Sequence, residues 1–378
     1  MKIKWGFSFL FVIFILTFLT YRSYSNRVYD WDMPGYVGSM FTAEFPDSPD
    51  KVRELTYSSI KKEAPADQYN NLIGISPRAI PRQYFAENTQ SFTEQLPYFQ
   101  IKIGYVLVIT FFCKLGLSPP MSVLFTSLIS YFLSGVLFFY IVKNLFPEKY
   151  MLAALLTVGV MLFPTMIYMS GESTPDMFIF LFILLFIIGL IKNWSQWSMF
   201  LLLLMMTFIR PDYATFALTY LGSVFLFDYF TEKKIDFILM IQGVVIVSLQ
   251  VFIMKFYNYP GWVDLFYDSF IERRPIISAQ PAHLTLQTYL KVIYTKIISF
   301  KKVTLSVFIM TGVIFWISKV AWVRMISVLF LVNVYIKFFF FPLSADLRLF
   351  FPFIFPIFIM LLYVLSQKYK NSKLLEIA

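Results

Sequence analysis

What this chain can fold into is constrained most by a series of apolar stretches separated by short polar joints, at residues 5–21, 121–142, 150–170, 175–191, 197–209, 213–227, 235–254, 303–318, 321–341 and 350–365. A bilayer offers no water to backbone N–H and C=O groups, so segments that cross it fold as helices that satisfy those groups internally. About 20 residues are needed to cross a hydrocarbon core of about 30 Å, and several of these stretches are shorter, so their boundaries are loosely defined. With 58% hydrophobic and only 14% charged residues, the chain is also far more apolar than a soluble domain of its size. The expected fold is an all-α polytopic membrane protein of about ten transmembrane helices.

One segment breaks this pattern. Residues 21–98 form a 78-residue polar stretch holding 10 of the chain's 22 Asp and Glu residues, and they predict a large first extracytoplasmic loop with interfacial helices. Ser48-Pro49-Asp50 reads as a helix start, and Val52, Leu55 and Ile60 share one face of the helix it would open. Ahead of it, Lys2 and Lys4 precede residues 5–21 in the manner of a signal peptide. No small-residue cleavage site is present in Thr20-Tyr21-Arg22-Ser23-Tyr24, so an uncleaved first span is expected.

Orientation turns on a short run. Eleven uncharged residues, 103–113, lie between Lys102 and Lys114, and as a helix they reach roughly 16 Å, too little to cross. If they lie along the outer surface, Lys143, Lys149, Lys192, Lys233, Lys234, Lys319 and Arg324 all fall in short cytoplasmic joints, with both termini inside. If they cross, this positive-inside bias is lost. The expected division is a transmembrane core at 1–254 including the first extracytoplasmic loop at 21–116, a second extracytoplasmic loop at 255–302, and C-terminal spans with a cytoplasmic tail at 303–378. The net charge of +10 comes from residues scattered at span ends, which orientation in a membrane explains better than nucleic-acid binding.

Scarcity narrows the chemistry. Cys113 is the single cysteine and His283 the single histidine, which removes disulfides within the chain, HExxH zinc sites and most histidine-based triads. Acid and base work falls to carboxylates. Asp30 and Asp32, in Tyr29-Asp30-Trp31-Asp32-Met33-Pro34-Gly35-Tyr36, stand just after the first span, where a carboxylate can take a proton from an acceptor or simply bond the backbone of a solvated turn. Glu172 and Asp176, in Ser170-Gly171-Glu172-Ser173-Thr174-Pro175-Asp176, are expected on the same side. A helix start explains Asp176 well and Glu172 poorly. Arg210-Pro211-Asp212 separates two short apolar runs, where Arg210 pairs with Asp212 or meets a phosphate; Arg348, in Ser344-Ala345-Asp346-Leu347-Arg348-Leu349, pairs with Asp346 or takes the phosphate of a lipid carrier.

Taken in order, these elements resemble the GT-C superfamily of polytopic glycosyltransferases, in the branch of the protein O-mannosyltransferases and the lipid A aminoarabinose transferase. The resemblance rests on Asp30 or Asp32 after the first span with Tyr36 close behind, and on Leu96-Pro97-Tyr98 leading to Lys114-Leu115-Gly116-Leu117-Ser118. It continues through Lys143-Asn144-Leu145-Phe146, Asp176, Arg210-Pro211 and Arg348-Leu349-Phe350-Phe351-Pro352. The family's usual His-Pro-Pro is absent, and Leu96-Pro97-Tyr98 stands in its place.

The resemblance implies transfer of a sugar from a polyprenyl-phosphate donor to a glycan, lipid or protein acceptor, on the extracytoplasmic face of a bacterial inner membrane. Asp32, or Asp30 in its stead, would be the general base. Arg348 and Arg210 would neutralise the departing phosphate, and Tyr36, Glu172 and Asp176 would contact substrate. A divalent metal is an optional addition, held by Asp32, Glu172 and Asp176. The rivals are a polysaccharide polymerase, a lipid-linked glycan flippase and a non-catalytic scaffold of the same fold; the charges gather at one face with no continuous polar track, which speaks against a transporter.

Overall fold

The computed structural model describes residues 2–75, 79–344 and 346–377, with side chains for 3–75, 79–344 and 346–369, and all regular structure among the described residues is helical. The chain opens with α1 (Lys2–Ser25). The polar segment then folds into α2 (Met33–Glu44), α3 (Pro49–Lys61), α4 (Ala66–Leu72), α5 (Ile80–Glu87), α6 (Thr89–Gln95) and α7 (Pro97–Gln100), leading into α8 (Ile103–Lys114). A run of apolar helices comes next: α9 (Pro119–Leu145), α10 (Tyr150–Met161), α11 (Pro164–Gly171), α12 (Asp176–Ile191), α13 (Gln196–Ile209), α14 (Ala214–Glu232) and α15 (Phe237–Phe256). A second polar segment supplies α16 (Trp262–Phe270) and α17 (Leu286–Ser299), and α18 (Lys301–Ile317), α19 (Ala321–Phe340) and α20 (Phe351–Ile377) close the chain.

Among the described residues, five helices, α1, α9, α15, α19 and α20, are each long and apolar enough to cross a membrane, and eight if the bent pairs α6–α7 with α8, α10 with α11, and α17 with α18 each count as one span. The chain is therefore an all-α integral membrane protein. Between these helices, α12 and α13 are as apolar but only 16 and 14 residues long.

The 150–170 stretch, expected as one span, is a bent pair of helices. It breaks at Leu162–Phe163, and α11 leaves α10 at 59°. Pro164 is the cause: it lacks an N–H to continue the ladder and holds Phe163 extended, at φ −61° and ψ 134°. The carbonyl of Met161 freed at the break accepts a 2.6 Å hydrogen bond from the buried Tyr131 hydroxyl of α9. The 303–318 stretch coincides with α18, which is entered through a 67° turn from α17 at Phe300.

Helix α9 is the hub, packing against α1, α8, α10, α11 and α12. Its buried face carries Ser122, Thr126, Ser127, Ser130, Ser134 and Gly135. Small residues let helices approach closely in an apolar medium, where van der Waals contact replaces the hydrophobic effect as the source of association. A Cβ at Gly135 would strike the Leu16 side chain of α1. The hydroxyls of Ser122, Thr126 and Ser130 are satisfied by carbonyls four residues back, at 2.6–2.9 Å.

The polar segment packs on this core through α2, whose residues from Met33 to Met40 are all buried. Gly35 and Gly38 face α6 and α7 so closely that a Cβ on either would collide with Phe99, or with Phe92 and Leu96. Helix α3 starts at Pro49 with Asp50 in its first turn, and it buries Val52 and Ile60 with Thr56 and Tyr57, leaving Leu55 half-buried. Residues 103–113 form α8, which turns 104° from α6–α7 and packs on α9, α13 and α2. Its inner face holds Gly104, Tyr105 and Ile109, while Leu107 and Phe111, one turn apart, are exposed.

Candidate functional site

The segment after α1 is stitched to the turn between α11 and α12. Val28 N–H donates to the Gly171 carbonyl at 3.0 Å, and Ser173 Oγ to the Val28 carbonyl at 3.3 Å. From the α9 side, the Ser127 hydroxyl reaches the carbonyls of Glu172 and Thr174, at 2.9 and 3.2 Å. A helix hub thereby fixes the two acidic turns against each other, although 143 residues separate Asp30 from Ser173.

The two aspartates of this segment sit in different situations. Asp30 Oδ1 accepts from the backbone N–H of Asp32 at 2.8 Å and Oδ2 from that of Ser173 at 2.7 Å, and its side chain also hydrogen-bonds Glu172. Asp32 precedes α2, but its carboxylate makes no capping bond. That carboxylate forms no hydrogen bond or ion pair with any described residue. Asp30 is thus consumed in holding the turn, whereas Asp32 is left open.

The Asp30–Glu172 pair has an electrostatic consequence. Burial first, then the hydrogen bond and charge of Asp30, push the Glu172 carboxyl up to about 9, and burial likewise raises Asp30. Two adjoining carboxyl groups in a dry setting cannot both ionise, so they share a proton through neutral pH.

Beyond Glu172 the charges alternate from one element to the next. Arg348, just ahead of α20, lies 3.5 Å from Glu172 Oε2, 3.7 Å from Asp176 Oδ2 and 2.7 Å from Asp346 Oδ2. Asp176 opens α12 and pairs with Arg210, which also meets Asp212 at 3.1 Å. Asp212 in turn pairs with Lys337 of α19. Arg210–Asp212 and Asp346–Arg348 are therefore real ion pairs, and both arginines also belong to a network tying the α11–α12 turn, the α13–α14 joint, α19 and the start of α20 together. Among the described residues no three His, Cys, Asp or Glu side chains are grouped to hold a metal ion. The set of Asp32, Glu172 and Asp176 is not assembled, because Arg348 and Arg210 occupy the positions around Glu172 and Asp176.

This network forms one wall of a cavity of about 870 Å³ bordered by Asp32, Tyr36, Asp176, Arg210 and Arg348. A smaller cavity of about 310 Å³ touches Asp30, Glu172 and Arg348, and Asp32 borders both. Tyr36 is fully buried, and Lys102 donates to its hydroxyl at 2.7 Å. The larger cavity continues between α15, α16 and α19 along apolar side chains including Met254, Trp262, Leu265, Phe270, Phe340 and Phe341.

Four cations on this cavity are not marked as site residues by the sequence pattern: Arg82, Lys102, Arg273 and Lys337. Lys337 carries a usable signal, a charge well inside an apolar run, which is costly unless functional or paired. Arg82 and Arg273 carry none, since only the fold of the two polar segments brings them here. His283, by contrast, is exposed. No family model matches the chain, and no curated protein and no solved structure is similar to it at a significant level.

Proposed function

We propose that the protein is a membrane glycosyltransferase of GT-C type, moving a sugar from a polyprenyl-phosphate donor to an acceptor hydroxyl or amine. One observation carries this reading: Asp32 presents a carboxylate free of hydrogen bonds and ion pairs with the described residues at the junction of two cavities, while Asp30 is bonded to two backbone N–H groups and Glu172, Asp176, Asp212 and Asp346 are each paired with a cation. A general base needs a free lone pair within reach of its proton donor. Asp30 has given its oxygens to two backbone N–H groups and is a positioning residue on this reading, so Asp32 takes the role of base.

In the proposed step the acceptor's proton passes to Asp32 as its oxygen or nitrogen bonds to the sugar's anomeric carbon. The bond from that carbon to the phosphate oxygen breaks, and the electron pair leaves with the polyprenyl phosphate. Fixed positive charge placed where negative charge develops lowers the barrier. Arg348 has its Nη2 unbonded among the described residues, and Arg210 and Lys337 complete the cationic wall. The apolar extension between α15, α16 and α19 offers a channel of matching chemistry for an isoprenoid tail. With ten spans and both ends cytoplasmic, the cavity falls on the extracytoplasmic side, next to the lipid carrier.

In membranes supplied with a polyprenyl-phosphate sugar and its acceptor, Asp32→Asn is expected to lower the transfer rate by about 10²-fold or more, as loss of a general base does. Asp30→Asn is expected to act mainly by loosening the turn, seen as a lower melting temperature. Wild-type transfer by Asp32→Asn would remove the base assignment.

A further inference from the structure

Two arginines on the cavity have no carboxylate partner among the described residues. Arg82 of α5 lies over the Trp31 indole at 4.8 Å from the ring centroid, and Arg273, in the segment after α16, lies 5.7 Å from the same ring. Both border the larger cavity, as does Trp31, which immediately precedes Asp32. Arg82 is held by Asn71 through its carbonyl and its side-chain oxygen, and Arg273 by Gln95; all these partners are neutral. Elsewhere in the site, Arg210, Arg348 and Lys337 are each matched by carboxylates.

The neighbouring Arg274 shows what full compensation looks like in the same segment. It is 1% exposed and bonded to Asp264, Asp268 and the Gln280 carbonyl, at 2.7–2.8 Å. Those bonds fix the backbone at 273–274 and so aim Arg273 into the cavity. There its Nε is buried without a hydrogen-bond partner. A guanidinium whose donor is buried and orphaned, with no carboxylate in ion-pair contact, is unfavourable until an acceptor arrives. Burial holds both Arg82 and Arg273 below their ordinary pKa, the same penalty expressed as proton affinity.

We propose that Arg82 and Arg273, both set against the Trp31 ring and bordering the same cavity, form a second anion site that takes a phosphate group of the acceptor. Two unmatched guanidiniums suit a dianion better than a carboxylate, because a phosphate monoester carries about −1.5 to −2 charges at neutral pH and three acceptor oxygens. That the phosphate belongs to the acceptor rests on the transfer reading above, with the adjacent Asp32 facing the acceptor's nucleophile. The anion site itself does not rest on it.

Binding of inorganic phosphate to the purified full chain in neutral detergent tests the site without requiring transfer. Wild type should bind phosphate with affinity that falls as salt is raised, and bind acetate at least about tenfold more weakly. Arg273→Gln and Arg82→Gln should each weaken phosphate binding about tenfold, and the double variant should abolish it. Arg273→Lys, which keeps charge but loses the fork, should fall between. A parallel arm in nanodiscs distinguishes sources: competition of phosphatidic acid with inorganic phosphate assigns a lipid-borne phosphate, and its absence a soluble one. Unchanged phosphate binding in the double variant, or binding lost on Arg348→Gln but not on Arg82→Gln Arg273→Gln, would overturn the proposal. Phosphate binding with no detectable sugar transfer would leave the anion site standing and remove only the transfer reading.

Discussion

At the scale of single residues, the site separates carboxylates by what already holds them. Asp30, Asp32 and Glu172 border the same small cavity, yet two backbone N–H groups bind Asp30, Glu172 shares its proton, and Asp32 is unengaged. The sign of the Glu172 shift fixes a pH dependence. Its folded pKa, pushed up to about 9, exceeds the ordinary glutamate value of 4.5, so the native state binds more protons than the unfolded chain in between. The stabilisation is fully present below pH about 4.5 and is lost as pH rises through about 9. Wild type should therefore melt progressively lower from pH about 5 to pH about 9, whereas Glu172→Gln, which keeps a donor for Asp30 and cannot ionise, should flatten that slope in a thermal scan. Equal slopes would show that Glu172 is ionised in the folded protein. The residue types at Asp30, Asp32, Glu172 and Asp176 are legible in the sequence, but their division of labour is not. Which oxygen meets which N–H depends on the register between two turns that only the packing of α9 brings together.

At the scale of elements, the two polar segments are joined by direct hydrogen bonds, and Arg274 braces the second from within through Asp264, Asp268 and the Gln280 carbonyl. Tyr98 donates to Asp268 at 3.1 Å, Ser278 N–H donates to Glu94 at 2.9 Å, and Ser91 donates to the Pro275 carbonyl. Asp268 and Arg274 are almost wholly buried, and removing one partner of a buried pair strands the other charge, typically at about 3–5 kcal/mol. Arg274→Gln should make residues 271–285 markedly more sensitive to limited proteolysis while leaving the apolar helices intact. Protection equal to wild type would mean that the remaining loop contacts suffice.

Elements differ in how plainly the sequence announces them. Helices α9, α15, α19 and α20 stand out because long apolar runs have few alternatives in a bilayer, and α3 because Ser48-Pro49-Asp50 is a local start signal. The break in the 150–170 stretch is carried by Pro164, yet proline is tolerated inside membrane helices, and only the 59° bend shows that it ends one here. The second polar segment looks featureless as a sequence because Arg273 acquires meaning only opposite Trp31.

For the molecule as a whole, an α-helical core holds apart a charged wall and an apolar channel within one cavity of about 870 Å³. That pairing suits a substrate with a charged head and a long apolar tail, and it makes Asp32 and Arg348 members of one site although 316 residues separate them in the chain. The overall class is written in the composition; the convergence of four distant segments is visible there only as an expectation, because charge pairs across helices leave no periodic trace.

A cryo-electron microscopy map of the full chain in nanodiscs, with polyprenyl phosphate bound, decides most directly whether the charged wall and the apolar channel serve one lipid-linked substrate. Phosphate density is expected within hydrogen-bond reach of Arg348, with Arg210 or Lys337 alongside, the tail running between α15 and α19, and the Asp32 carboxylate open to the space beside the phosphate. The lipid annulus would at the same time show which helices cross. Phosphate held elsewhere, or a bilayer boundary that leaves the apolar channel out of contact with lipid, would refute that assignment.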